Sequence, residues 1–141
     1  MILKKPLFLI LFFVIFIIGV LQQVGVYYHL YWTLPWFDVM MHFLGGFWIG
    51  YVVLWITFFS GYVSVPKRSD FKFFMILSLA SALFIGLAWE VFECKADSTF
   101  WNDKYIFDTV KDIIMDCLGG VFSAIFLHNA YKKKLIKENV I

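Results

Sequence analysis

Charge is scarce in this chain. Asp, Glu, Lys and Arg make up 16% of its 141 residues, against 62% hydrophobic residues. A soluble domain of this length would not leave so little charge to cover so much apolar surface, so the composition implies an integral membrane protein of a single domain. Cysteine is scarcer still. Cys94 and Cys117 do not make a disulfide framework, and both read as packing residues. Histidine occurs three times, too rarely for a histidine-based zinc hydrolase. The net charge is only +2 and no basic run is interleaved with aromatics, which excludes nucleic acid as a partner. The chain carries no repeat, no low-complexity segment and no second domain. Lys4 and Lys5 precede a long apolar stretch, as in a signal peptide. No A-x-A-like cleavage site follows, so the stretch is expected to remain as a mature span.

What the chain has in abundance is aromatic and aliphatic sequence. Aromatics account for 22% of residues, with 18 Phe. Apolar stretches near 7–28, 37–59, 71–93 and 105–128 are each close to the roughly 20 residues that a helix needs to cross a bilayer. The expected fold is therefore all-α, a four-span transmembrane helical bundle. Between the first two stretches lies a turn rich in aromatics, with Trp32 and Trp36 as interface anchors and Pro35 where a helix can begin. His29 belongs to the same interface. Gln22 and Gln23 read as interhelical hydrogen-bonding groups, and Gly46 and Gly50 form a small-xxx-small pair that lets helices approach closely. Asn129 to Ile141 reads as a short basic tail.

Against that background the acids stand out. Asp108, Asp112 and Asp116 recur every four residues, and four residues turn a helix through about 400°, so they share one stripe about 80° wide. Asp38 and His42 are also four apart, and Glu90 and Glu93 are one turn apart. Ionised groups inside a membrane helix cost about 2.5–3.5 kcal/mol each even on translocon scales, so they must face a protein interior, a wet cavity or a cation. Lys111 is the only intramembrane cation nearby. Six carboxylates and one histidine cannot all stay ionised there without partners.

Loop charges set the orientation. Lys and Arg number two at the N-terminus, three around the second loop and four in the tail. The first turn has none, and the two in the third loop are offset by Asp97 and Asp103. Both termini are therefore expected in the cytoplasm. All three acidic motifs then lie toward the outer ends of their spans, with Asp116 roughly 15 Å deep.

Oxygen-rich ligation with one histidine suits Mg²⁺, Mn²⁺, Ca²⁺ or Zn²⁺. The expected ligand set is Asp38, His42, Glu90, Glu93, Asp108, Asp112 and Asp116, with Asp112, Asp116 and Glu90 at its core. His42 and Glu90 are the candidate acid–base groups. Two further readings stay open: a structural polar network, and a cation or proton conduit using the same carboxylates.

Taken together, D-x3-H at Asp38 and His42, E-x2-E at Glu90 and Glu93, and D-x3-D-x3-D-x2-G from Asp108 to Gly119 resemble the VanZ-like group of small bacterial membrane proteins. Val39 after Asp38, Glu93 in place of a Gln and an acid at Asp116 bring the chain nearer the YjdF-type branch. The resemblance implies a polar site shared within the cell envelope of the bacterial plasma membrane. The expected partners are membrane lipid or a lipid-linked phosphate or glycan precursor, with homo-oligomerisation open.

Overall fold

The computed structural model describes residues 4–64, 70–96 and 103–139, with side chains at 6–64, 70–95 and 106–133. The loop basic residues Lys67 and Arg68, with Pro66, lie outside the described residues, as do Asp97, Phe100 and Trp101. The side chains of Lys4, Lys5, Asp103, Lys104, Lys134 and Lys137 lie outside them too.

The described chain is all-helical. It runs α1 (Lys4–Tyr27), α2 (Leu30–Thr33), α3 (Pro35–Phe58), α4 (Phe71–Ala96) and α5 (Asp103–Asn139). Three helical segments are long and apolar enough to cross a membrane: Pro6–Tyr27, Pro35–Phe58 and Phe71–Lys95. At 37 residues α5 has length to spare, but acids and lysines interrupt it, and it is not among the three. The basic tail expected from Asn129 is helical. It continues α5 to Asn139, because Ala, Lys, Leu and Glu are good helix formers and neither Gly nor Pro intervenes. Tyr131 then turns inward and is buried in the core.

Helices α3, α4 and α5 pack pairwise against one another, while α1 lies against α3 and α2 alone among the described residues. The tightest seam is α3 on α5, and glycine makes it possible. A methyl group at Gly46 would strike the Asp116 backbone carbonyl, and one at Gly119 would strike the Phe43 carbonyl and the Phe47 amide. Close backbone approach of this kind is how helices associate where lipid supplies no hydrophobic drive. Further along, Ser78 Oγ donates to the Gly120 carbonyl at 2.7 Å and pairs with Ser123 Oγ at 2.7 Å. Gly50 leaves the space for both hydroxyls.

Beyond that serine pair the interior is mainly apolar, with the buried His128 ring set against Phe71 and Phe74. Tyr51, Leu54, Phe58, Phe59, Phe74, Ala124, Leu127 and Tyr131 form one buried cluster, with Phe58 stacked on Phe74 at 4.0 Å. Helix α1 is held to α3 by side chains that reach its carbonyls. Tyr51 Oη donates to Leu7 O at 2.9 Å and Trp48 Nε1 to Leu11 O at 3.0 Å. Its other faces present Leu9, Phe12, Phe13 and Phe16 outward, as a lipid-facing helix would.

The turn between α1 and α3 is tied down. His29 takes a left-handed conformation with φ 55°, and Pro35 occupies the first turn of α3. The Tyr31 hydroxyl donates to Gln22 Oε1, so Gln22 serves as an acceptor from the turn, while Gln23 is exposed. At the far end of α3, Gly61 with φ 87° turns the chain out of the helix.

Candidate functional site

Helices α3 and α5 begin, and α4 ends, at the same pole of the bundle, because α4 runs antiparallel to the other two. That topology gathers the first turns of α3, the last turns of α4 and the early turns of α5. Asp38 and His42 lie on one face of α3, Glu90 and Glu93 on one face of α4, and Asp112 and Asp116 on one face of α5.

His42 is the hub and is buried. Its Nδ1 lies 3.3 Å from Asp116 Oδ2. Its Nε2 lies 3.7 Å from Asp38 Oδ1 and 3.9 Å from Glu90 Oε1. Both ring nitrogens thus face carboxylates, one on each neighbouring helix and one on its own. Glycine again decides the fit: a methyl group at Gly86 of α4 would overlap the Asp116 carboxylate.

Two sets of side chains can bring ligand atoms within 4.8 Å of one another. They are Asp38, His42 and Asp112, and His42, Glu90 and Glu93. Opposite ligands on one ion are separated by twice the metal–oxygen distance, about 4–5 Å for Mg²⁺ or Ca²⁺, so that spacing is compatible with a cation. Asp112 is 3% exposed, and its Oδ1 finds no hydrogen-bond partner among the described residues. The Lys111 ammonium lies 3.7 Å from this oxygen, too far for a hydrogen bond, so the buried acceptor has an ion-pair neighbour but no donor, a costly arrangement.

Two of the expected ligands fall elsewhere. Asp108 shares the helical stripe but is exposed, and it pairs with Lys111 rather than facing His42. Asp116 is buried, yet belongs to neither ligand set and lies behind the histidine at Nδ1. Glu93 is half-buried. His29 is exposed on its turn with its ring against Trp32, 5.7 Å between centroids, as expected of an interfacial residue.

Tyr31 is a residue that the motif spacing did not disclose. Burial, with Asp38 and Glu93 close by, pushes its phenol up to about 12. The turn holding α2 therefore sets near Asp38 and Glu93 a phenol that stays protonated and donates to Gln22. Its sequence neighbours, an aromatic turn, read only as an interface. Thr109, beside Glu90 on the facing helix, carried no signal either.

A family described as a predicted membrane protein, DUF2238, matches residues 3–133. The chain belongs to this family. In DUF2238 terms the match takes in every helix that builds the acidic pole, α3 and α4 in full and α5 through the buried Tyr131. No curated protein and no solved structure matches the chain.

Proposed function

We propose that this membrane protein binds a divalent cation at the acidic pole and uses it to bind or act on an envelope lipid or a lipid-linked phosphate or glycan. In this reading α5 serves as a fourth span, both termini are cytoplasmic and the pole faces outward in a bacterial plasma membrane. The loop charges support that orientation. The resemblance of the three acidic motifs to the VanZ-like, YjdF-type pattern supports an envelope role.

One observation carries the metal reading. Asp112 Oδ1 is buried without a hydrogen-bond donor, with only the Lys111 ammonium 3.7 Å away, in a group of possible ligands that also holds Asp38 and His42. The donor chemistry fits: carboxylate oxygens with one imidazole suit Mg²⁺, Mn²⁺, Ca²⁺ or Zn²⁺. Asp38, Asp112 and His42 Nε2 would hold the ion. Asp116 would accept from His42 Nδ1–H and fix the tautomer, as carboxylates behind ligating histidines do. Glu90 would move protons or complete a second cation position with Glu93. A bound divalent ion supplies a clamp for a phosphoryl or glycosidic oxygen.

A conduit with the same carboxylates needs a polar path through the bundle. Beyond the Ser78–Ser123 pair, the fully buried Leu54, Phe74 and Leu127 outweigh the one buried polar ring there, His128 on Phe74, and favour a blind pocket instead.

Thermal unfolding of the purified protein tests the proposal. A ligand that binds only the folded state adds about 2.7 kcal/mol at a hundred times its Kd. Wild type should melt several degrees higher in Mg²⁺, Mn²⁺, Ca²⁺ or Zn²⁺ than in chelator, and Asp112→Asn should lose most of that gain. Identical curves with each metal and with chelator would overturn the proposal.

A further inference from the structure

Lys111 is the one intramembrane cation at the acidic pole among the described residues, and the proposed metal reading gives it no role. It follows from its place on α5. Asp108 and Asp112 sit a helical turn apart on one stripe, about 6 Å between Cβ atoms, and Lys111 projects beside them. Its Nζ is bonded to Asp108 and also lies 3.7 Å from Asp112 Oδ1. The two carboxylates differ sharply in surroundings. The Asp108 side chain is 57% exposed and that of Asp112 only 4%, with Lys111 between them at 28%. One ammonium therefore spans a wet carboxylate and a dry one.

The dry one is short of partners. Asp112 Oδ1 has no hydrogen bond, and Lys111 is the cation beside it. On this basis, and resting on the metal reading above, we propose that Lys111 is the resident counter-ion of Asp112 and competes with a divalent cation for it. The ammonium already bonds Asp108, so when metal binds it gives up only its 3.7 Å contact with Asp112 and stays on Asp108, a small swing that a flexible four-carbon stem makes without backbone change. Asp108 then acts as a parking carboxylate rather than a ligand, in keeping with its place outside both ligand sets. The lysine offsets the buried charge of Asp112 in the metal-free protein, and it sets the metal concentration at which the pocket fills.

Titration of purified full-length protein with Mn²⁺, read as free Mn²⁺ by electron paramagnetic resonance, tests this. Lys111→Met should tighten Mn²⁺ binding at least tenfold, and Lys111→Arg should leave it near wild type. Asp108→Asn, which strands the ammonium on Asp112, should weaken binding in the wild-type background. In the Lys111→Met background the same change should have no effect, since Asp108 acts through the lysine. A second readout covers variants that fold poorly: Lys111→Met should melt below wild type in chelator and recover with Mn²⁺. Unchanged or weaker binding in Lys111→Met overturns the proposal, as does an Asp108→Asn loss that persists without the lysine. Mn²⁺ bound by none of the proteins overturns the metal reading and this proposal with it.

Discussion

At the scale of residues, the acidic pole turns on how His42 is held. Three carboxylates from three helices surround one imidazole, and only Asp116 lies at hydrogen-bonding distance. This separates two roles that share one stripe on α5. Asp112 comes within 4.8 Å of Asp38 and His42, whereas Asp116 meets the ring at Nδ1, so in the proposed reading only the first is a ligand. Removing a carboxylate behind a ligating histidine typically lowers metal affinity about 10–100-fold, less than removing a ligand. Asp116→Asn should therefore weaken divalent binding by that factor in a calorimetric titration, while Asp112→Asn abolishes it. Equal abolition by both would make Asp116 a ligand. The stripe itself was legible from sequence, since a spacing of four fixes direction on a helix. Cover was not. Asp108 points the same way as Asp112, but it lies little more than a turn inside α5, which begins at Asp103, and stays exposed. Periodicity gives the azimuth of a side chain and is silent on how far neighbouring helices extend over it.

At the scale of helices, the α3–α5 seam sets the position of every acid on α5. Gly46 and Gly119 bring the two backbones together beside Asp116, so a side chain at either position must push α5 away. Overpacking costs about 1–3 kcal/mol even where side chains can yield, and here the obstacle is backbone. Gly119→Leu should lower the melting temperature by more than about 5 °C. Gly19→Leu on α1, where no atom lies within 4 Å of an added methyl, should leave it unchanged. Equal effects would mean that the seam is not what orders the bundle. The small-xxx-small pair of Gly46 and Gly50 announced this contact in sequence. The end of α5 was not announced: a lysine-rich stretch reads as a tail, and only the burial of Tyr131 against Phe58 and Phe74 shows that it continues as packed helix.

At the scale of the molecule, the bundle is polarised. One pole gathers carboxylates, His42 and Tyr31, and the other is closed by an aromatic and aliphatic core around Phe58 and Phe74. Membrane class and helical architecture were legible because composition and run length alone decide them. The division of labour among the acids was not, because it depends on which helix ends coincide. The central claim, a divalent cation held between α3 and α5, is tested most directly by a density map of the protein prepared in Mn²⁺, with anomalous scattering to identify the ion. The account predicts a manganese peak about 2.0–2.6 Å from His42 Nε2 and from carboxylate oxygens of Asp38 and Asp112, with Asp116 behind Nδ1. A well-resolved pole with no anomalous peak, and with Lys111 still paired to Asp112, would contradict it.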